Sequence, residues 1–304
     1  MKVISVFGVF VADLCFFANA IPEKGQTILG NNHIVGPGGK GSNQAIAAAR
    51  LGGSVNFITK IGKDQNADMA LSLYRDEGMD TSCVIQDENH LTGVAGIMIN
   101  EKTGDNAINI VSGAAATLTK KDIDNNLSFI KKSEIFLTQL ETPYEATSYA
   151  LKKAKEFNLT TIFNPAPASE INQNDFKLID YFTPNETEAS FYLKKKVESK
   201  EEIEIAAKMF LEKGVKNIVI TLGSRGVYFA NSTENYFVDA FNLKDKVIDT
   251  TGAGDAFNGA FAYALSNNHK NKEALKFANK VAGISTTRAG AANAMPKLKE
   301  VESY

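Results

Sequence analysis

Short apolar runs alternate with segments of helical spacing along most of the chain. The first run, residues 3–10, is interrupted only by Ser5 and Gly8, which is typical of a strand buried on both faces. Similar runs follow at 55–58, 135–137, 160–163 and 218–221. Segments with apolar residues at helical spacing lie at 43–51, 67–73, 144–157 and 203–211. The alternation predicts an α/β fold with a doubly wound, mostly parallel sheet flanked by helices.

Two regions interrupt this alternation. Residues 14–36 and 92–111 contain apolar runs that no helical segment follows, and the turn signal Lys102-Thr103-Gly104-Asp105 lies inside the second. We interpret them as strand-turn-strand insertions that form a small antiparallel sheet, a candidate lid. Edge hairpins of one continuous sheet fit the pattern equally well. We expect residues 1–304 to form one α/β domain with these insertions, and the small sheet to pair with its copy in a homodimer.

Composition and charge exclude several classes of protein and of site. The 304 residues include 33 basic and 35 acidic ones, a net charge of -2, which argues against a nucleic-acid-binding protein. Backbone amides can still bind a small anion. The three histidines and two cysteines are scattered, without the spacing of a metal site or a disulfide framework. No apolar run approaches the roughly 18 residues of a membrane span, and the start lacks a cleavage signal, so we expect a soluble cytoplasmic protein without membrane partners.

The segment 249–260 carries the sharpest chemical signal. Gly252 and Gly254 stand just before a helical pattern, so bare backbone amides at the positive end of a helix can bind an anion there. Asp255 falls in the first helical turn beside them. A carboxylate in that place can accept a proton from a hydroxyl that attacks phosphorus, while the amides stabilise the developing charge. The structural alternative is a glycine turn in which Asp255 only caps the helix.

A second glycine-rich segment runs from residue 36 to 45. Gly36, Gly38 and Gly41 match the spacing of a dinucleotide-binding fingerprint, which would indicate an NAD-dependent dehydrogenase, but a lid strand rather than the first core strand precedes them. We interpret the glycines as allowing close approach of the backbone to a polyhydroxylated ligand. The Asn43 amide would then donate to and accept from sugar hydroxyls. A flexible surface loop is the structural alternative.

These segments, with further motifs in order along nearly the whole chain, resemble the PfkB family of carbohydrate kinases, and within it the ribokinase branch. The motifs are Asp13 at the end of the first strand, 38–45, Gln139-Leu140-Glu141, 163–168, 183–188, 221–226 and 249–255. The resemblance implies an ATP-dependent kinase that transfers the γ-phosphoryl group to a primary hydroxyl of a free sugar, D-ribose, giving D-ribose 5-phosphate. Another acceptor (deoxyribose, fructose, a nucleoside or a sugar acid) and a non-catalytic sensor on the same fold are the alternatives.

The resemblance also implies the roles of individual residues. Asp255 is then the catalytic base, and the anion hole consists of Gly252, Ala253 and Gly254. The sugar-binding set comprises Val11, Ala12, Asp13, Gly39, Lys40, Gly41, Ser42, Asn43 and Glu141, together with Asp255. The ATP-binding set comprises Asn185, Thr221, Leu222, Gly223, Ser224, Gly226, Gly254 and Asn279, with Arg225 as a neighbour.

The same resemblance implies two metal ions. Mg²⁺ is expected near Glu188, through water, and a monovalent cation, K⁺, is expected largely on backbone carbonyls at Asp249, Thr251, Ser285, Arg288 and Gly290. Two departures bear on these expectations. Val11 stands where ribokinases commonly carry an asparagine, which removes one hydroxyl contact, and Ala294 stands where they often carry a serine, which removes one cation ligand.

Several of these residues have a structural interpretation as well. Asp13 is also typical of a loop cap, and Glu141 of a surface carboxylate before a helix. The segment 185–188 fits a helix N-terminal cap, and Asn279 fits a solvated helical position.

Overall fold

The structure, a computed structural model, describes residues 2–241, 243 and 246–304. The strands within these residues are β1 (Val3–Phe7), β2 (Val11–Ala18), β3 (Asn32–Gly38), β4 (Ser54–Ile61), β5 (Val84–Gln86), β6 (Thr92–Asn100), β7 (Asn106–Gly113), β8 (Ile135–Thr138), β9 (Thr160–Phe163), β10 (Tyr181–Phe182), β11 (Asn217–Thr221), β12 (Val227–Ala230) and β13 (Asn235–Val238). The α-helices are α1 (Lys40–Arg50), α2 (Gln65–Asp76), α3 (Lys120–Asn125), α4 (Leu127–Lys131), α5 (Tyr144–Glu156), α6 (Glu186–Leu193), α7 (Lys200–Glu212), α8 (Ala253–Ser266), α9 (Asn271–Ser285) and α10 (Leu298–Ser303). None of these helices is long and apolar enough to cross a membrane.

The large sheet has the strand order β13-β12-β11-β10-β9-β8-β1-β4-β5. Every neighbouring pair from β11 to β5 is parallel, whereas the pairs β11–β12 and β12–β13 at the edge are antiparallel. Alternate residues of the strands enter two separate cores. In β1, Ile4 and Val6 pack on the side of α1 and α8, whereas Phe7 packs on the side of α5 and α7. The predicted doubly wound α/β fold is confirmed.

The first strand is shorter than its apolar run predicts. β1 ends at Phe7, and β2, which contains Asp13, belongs to the other sheet. The chain leaves the large sheet because the Val9 carbonyl accepts a hydrogen bond from the Ser42 amide, at 3.1 Å, instead of pairing with a strand. The expectation that Asp13 ends the first strand is therefore wrong, because Asp13 is the third residue of the eight-residue strand β2.

The two inserted hairpins form a separate four-stranded sheet in the order β3-β2-β6-β7, which we call the lid sheet. Its strands span 11–38 and 92–113, slightly wider than the predicted 14–36 and 92–111. The outer pairs are antiparallel, but β2 and β6 are parallel, so the prediction of an antiparallel sheet is wrong at its centre. Both strands leave the carboxyl edge of the large sheet, after β1 and β5, and therefore run in the same direction. The alternative of one continuous sheet is also wrong.

Candidate active site

Close backbone contacts hold the start of α1 against the end of β1. A Cβ atom built on Gly41 would lie 2.6 Å from the Cα atom of Gly8, so no larger residue fits between the two segments. Gly39 precedes α1 with a φ of 87°, a conformation that glycine adopts without strain. The first turn of α1 consequently lies at the carboxyl end of the parallel strands, the edge at which open α/β sheets bind ligands.

Asp255 lies in the first turn of α8, directly after the glycine turn. Gly252 precedes that helix in the left-handed conformation, with φ 73°. The Asp255 side chain is buried, with 6% of its surface exposed. Its Oδ2 atom accepts a hydrogen bond from Asn43 Nδ2 at 3.0 Å, and its Oδ1 atom accepts one from Gln44 Nε2 at 2.9 Å. The carboxylate therefore faces α1 and does not cap its own helix, contrary to the structural alternative.

Two further carboxylates and one ammonium group surround this position. Burial, with a smaller contribution from the charge of Asp255, raises the pKa of Asp13 to about 6. Burial also raises the pKa of Glu141 to about 7, although Glu141 Oε2 accepts the Lys40 backbone N–H at 2.8 Å. The negative charge of Asp255, more than those of Glu141 and Glu188, raises the pKa of Lys40. The interpretations of Asp13 as a loop cap and Glu141 as a surface carboxylate are therefore wrong.

The remaining candidate sugar-binding residues divide into two groups. Asn43 Oδ1 is buried and has no hydrogen-bond partner among the described residues, so it is available to a ligand hydroxyl. Val11 and Ala12 are buried apolar residues at the base of the lid sheet. Ser42 is fully buried, and its hydroxyl accepts a hydrogen bond from Tyr74 at 3.0 Å. In this structure Ser42, like Gly41, serves the packing of α1.

The motif 185–188 forms the N-terminus of α6. Asn185 Oδ1 accepts the Glu188 N–H at 2.7 Å, and Glu188 Oε2 accepts the Asn185 N–H at 2.9 Å, which together make a capping box. These contacts match the structural interpretation of the motif. Thr221 at the end of β11 bridges to Asn185, so the motif adjoins the loop 221–226. Burial raises the pKa of the Glu188 carboxyl.

The loop 221–226 presents small, open positions at its tip. Gly223 and Ser224 are exposed, whereas Leu222 is buried. Gly226 has a φ of 88°, and a Cβ atom there would lie 2.1 Å from the Val238 carbonyl oxygen. Only glycine therefore allows the loop to pack this tightly against the end of β13.

Arg225 and Asn279 hold this region together. The Arg225 guanidinium donates to the Glu186 carboxylate and, at 2.9 Å, to the Glu198 carbonyl, which links the loop to α6. Asn279 is buried, and its amide donates to the Asp239 carbonyl at 2.9 Å, which ties α9 to the end of β13. Asn279 is thus not the solvated residue of the structural interpretation.

Three of the five residues predicted to bind a monovalent cation meet at Asp249. Its Oδ1 and Oδ2 atoms accept the N–H groups of Thr251 at 2.9 Å and Gly290 at 2.8 Å. Burial raises the pKa of Asp249, but these hydrogen bonds outweigh burial and the net pKa lies below its usual value. The segments 249–251 and 285–290 are therefore joined around an ionised carboxylate.

The other two residues of this set lie on the adjoining turn with their side chains directed elsewhere. The Ser285 hydroxyl donates to the Ala282 carbonyl at 2.8 Å, and Arg288 pairs with Glu300 at 2.5 Å. The Arg288 side chain has no acceptor, so the groups left to contribute to a cation are the two carbonyl groups and the Ser285 hydroxyl oxygen, which keeps its lone pairs. Ala294, in a short 3₁₀ turn, is fully buried and supplies no side-chain ligand.

Sequence reasoning assigned no role to Gln44 or Gln139, yet both lie in the buried network that holds Asp255. Each stands inside a motif that the sequence analysis singled out, next to Asn43 or two residues before Glu141. The sequence feature that could have identified them is a polar residue directly beside positions predicted to be buried in a strand or helix.

Comparison with known proteins agrees with this geometry. The model of the pfkB family of carbohydrate kinases matches residues 1–298, and the chain belongs to that family. It is 36% identical over 303 residues to a ribokinase of Haemophilus influenzae (100% of this chain, 98% of the relative) and 33% identical over 302 residues to a deoxyribokinase of Salmonella typhi (99% and 98%). A solved ribokinase of Arabidopsis thaliana complexed with ribose and ATP superposes with a TM-score of 0.92 at 29% identity, covering 99% of this chain and 98% of that one. The prediction of an ATP-dependent sugar kinase is confirmed.

Proposed function

We propose that this kinase phosphorylates D-ribose, producing D-ribose 5-phosphate. The observation that carries the proposal is the placement of Asp255: a buried carboxylate, with each oxygen held by an amide of α1, in the helical turn directly after Gly252 and Gly254. The similarity to named ribokinases over the full length of the chain supports ribose as the acceptor.

Asp255 acts as the general base in this proposal. It removes the proton from the primary hydroxyl as the hydroxyl oxygen attacks the γ-phosphorus of ATP, and ADP leaves. The backbone amides of Gly252, Ala253 and Gly254, at the positive end of the 14-residue helix α8, stabilise the charge that develops on the phosphoryl oxygens. Phosphoryl transfer depends mainly on positioning and charge stabilisation, which these groups supply.

Other residues hold the sugar and the nucleotide. Asp13 and Glu141 accept hydrogen bonds from sugar hydroxyls. Asn43 Oδ1 accepts one more, and this bond satisfies an acceptor that has no partner within the part of the chain that the structure describes. Lys40, beside three carboxylates, supplies positive charge near the transferred group. ATP lies along the exposed tip of the loop 221–226.

The lid sheet couples sugar binding to the exclusion of water. Asp13 is part of β2, at the centre of the lid sheet, so a sugar bound to Asp13 is bound to the lid itself. Closure of the lid over the sugar would keep water from competing for the phosphoryl group. Residues 1–304 in this proposal form one α/β domain that carries the lid.

Two metal ions complete the proposal. Glu188 suits Mg²⁺ held through water, because one of its oxygens, Oε1, accepts no hydrogen bond from the described residues. Asp249 suits K⁺ because its carboxylate stays ionised where the segments 249–251 and 285–290 meet. Bound Mg²⁺ would neutralise phosphate charge, and K⁺ would stabilise the turn that precedes the anion hole.

A second acceptor, 2-deoxyribose, is favoured by Val11. This residue is 3% exposed and lies on the same face of β2 as Asp13, where its side chain offers no hydrogen bond to a sugar hydroxyl. A sugar that lacks one hydroxyl group, such as 2-deoxyribose, leaves no hydroxyl group without a hydrogen-bond partner beside the Val11 side chain.

The test is a panel of pentoses, hexoses and nucleosides with ATP, monitored by ADP production and phosphate-ester analysis. We expect ribose to give the highest kcat/KM and the product to be the 5-phosphate. A higher kcat/KM for 2-deoxyribose would transfer the proposal to that sugar. No sugar-dependent ADP production would contradict it altogether.

We further propose that two chains associate through their lid sheets. Both faces of the lid sheet expose apolar side chains, namely Phe16, Ile34, Val35, Met98, Ile108, Ile110 and Val111. Phe16, Val35, Met98 and Val111 lie on one face and the three isoleucines on the other. Exposed apolar side chains in such number typically mark an interface. Light scattering coupled to size exclusion should give twice the mass of 32.9 kDa, and a monomer at micromolar concentration would contradict this assembly.

A further inference from the structure

A chain of buried side-chain amides ends on the carboxylate of Asp255. Gln139 Nε2 donates to Gln44 Oε1 at 2.6 Å, and Gln44 Nε2 donates to Asp255 Oδ1 at 2.9 Å and to Asn164 Oδ1 at 3.1 Å. Gln44 is 0% exposed and Gln139 is 1% exposed. The chain of amides therefore lies wholly inside the protein.

The partners of Gln44 leave one orientation for its amide. Its oxygen faces the donor Gln139, and its NH₂ group faces the two acceptors Asp255 and Asn164. Asn164 is fixed in turn, since its own amide donates to the Thr183 carbonyl at 3.1 Å. A reversed Gln44 amide would place oxygen against oxygen at Asp255 and at Asn164. Gln44 consequently always presents a donor to Asp255.

Asn43 holds the other oxygen of the same carboxylate, at 3.0 Å. With one neutral donor on each oxygen, the carboxylate cannot rotate without breaking a buried hydrogen bond. Both donors are neutral amides, so neither forms an ion pair with the carboxylate. This arrangement orients a base rather than neutralising it.

The amide of Gln139 is not explained by packing. Its Oε1 atom is buried and has no hydrogen-bond partner among the described residues. It also packs so closely on the backbone that a Cβ atom on Gly8 would lie 2.3 Å from it. A buried acceptor without a partner lowers stability, and leucine would fill similar space without one. The useful part of Gln139 is its NH₂ group, which holds Gln44.

We propose that Gln44 and Gln139 are positioning residues that fix the orientation of the Asp255 carboxylate for proton abstraction. The inference rests on the proposed kinase function but goes beyond it, because it assigns the orientation of the base to two residues that touch neither sugar nor ATP in the proposed mechanism.

The decisive variant is Gln44→Glu, which keeps the size of the side chain and replaces the donor with a second carboxylate beside Asp255. Two adjacent carboxylates resist simultaneous ionisation, so Asp255 should hold its proton to higher pH. We expect kcat at pH 7 to fall by about 10- to 100-fold and the acid limb of the kcat–pH profile to move up by about 1–2 units. The sugar KM should change by less than about threefold, because Gln44 does not contact the sugar.

Four other charged groups face Asp255: Asp13, Lys40, Glu141 and Glu188. The three carboxyl groups among them can titrate in the same assay. They are present in both the wild type and the variant. The displacement of the acid limb between the two profiles, rather than its absolute position, is therefore the measured quantity.

A second variant and a control separate positioning from folding. Gln139→Leu leaves every direct contact of Asp255 in place, and we expect kcat to fall by about 3- to 30-fold through misorientation. The melting temperature should change little, because the variant removes the unpaired Gln139 Oε1 and leaves Gln44 Oε1 unpaired in its place. The control is Asn126→Asp, which changes another buried amide, bonded to the Asp122 carbonyl at 2.9 Å outside this network. We expect it to lower the melting temperature and to leave the pH profile unchanged.

The outcomes are distinguishable. A wild type without sugar-dependent ADP production would overturn the proposed function itself. An active wild type with an unmoved acid limb in Gln44→Glu, or with full kcat in Gln139→Leu, would overturn the positioning role. If Gln44→Glu does not fold, the result for Gln139→Leu decides.

Discussion

Replacing Gly38 with alanine should displace Asp13 and little else. Gly38 ends β3, and its φ lies outside the left-handed region, so alanine is accommodated by the backbone. A Cβ atom there would lie 2.3 Å from all three atoms of the Asp13 carboxyl group, whereas ordinary van der Waals contact begins at 3.4 Å. The carboxyl group must therefore move by about 1 Å or more, and because it is the end of a flexible side chain it can do so at little cost in stability.

The magnitude follows from what the displaced carboxylate no longer binds. A hydrogen bond to a charged group contributes about 1.5–3 kcal/mol, so losing one should raise the sugar KM by about 10- to 150-fold. The kcat should change only a few-fold, because Asp255 and the glycine turn are untouched. The ATP KM should stay constant, and the free energy of unfolding should change by less than about 1 kcal/mol.

Gly36→Ala is the matched control. Gly36 lies two residues earlier on the same face of β3, but no atom of the described residues lies within 4 Å of the Cβ atom that alanine would add. Steady-state kinetics of both variants with the preferred sugar, together with thermal melting, make the comparison. If the two variants have the same sugar KM, Asp13 is not the sugar-binding carboxylate and the reasoning is refuted.

Four further predictions concern the sugar site and the proposed cation site. The sugar KM should rise as the pH falls below about 7, because Glu141 (pKa about 7) and Asp13 (pKa about 6) become protonated and each loses an acceptor; a KM constant from pH 8 to 5.5 would contradict this. The pKa of Glu141 is raised above its ordinary 4.5, so the sugar-free protein loses stability as this group ionises with the pH rising towards 7. Glu141→Gln should therefore raise the melting temperature at pH 8 but not at pH 4.5. Val11→Asn should increase the preference for ribose over 2-deoxyribose by about 3- to 10-fold in kcat/KM, and an unchanged ratio would remove Val11 from the sugar site. Activity should be higher in potassium than in sodium chloride at equal ionic strength, and Asp249→Asn should abolish that difference; equal rates in both salts would count against the cation site.

The sequence predicted the elements that local periodicity controls. The run at 160–163 is β9 as predicted, and the segments around α5 and α7 agree within a few residues. Periodicity failed where a tertiary contact decides the path of the chain. Val9 and Phe10 are as apolar as the strand before them, but the hydrogen bond from Ser42 to the Val9 carbonyl ends the strand early.

The same contrast between local pattern and tertiary contact applies to the residues of the candidate site. Glycines and carboxylates in short motifs identified Asp255, Asp13 and Glu141 as candidates, because their chemistry is visible in the residue type. Gln44 was not visible in that way, since an amide acquires its role only from the partners that the fold brings to it from β9 and α8. The direction of pairing between β2 and β6 depends likewise on which edge of the large sheet both strands leave.

The most direct test of the account is Asp255→Asn, which removes the base while keeping the shape of the side chain. Single-turnover measurements with saturating sugar and ATP, alongside calorimetric titration of ATP, separate chemistry from binding. The account predicts a phosphoryl-transfer rate lowered by about 10²- to 10⁴-fold with ATP affinity within a few-fold of the wild type. A transfer rate within a few-fold of the wild type would contradict it.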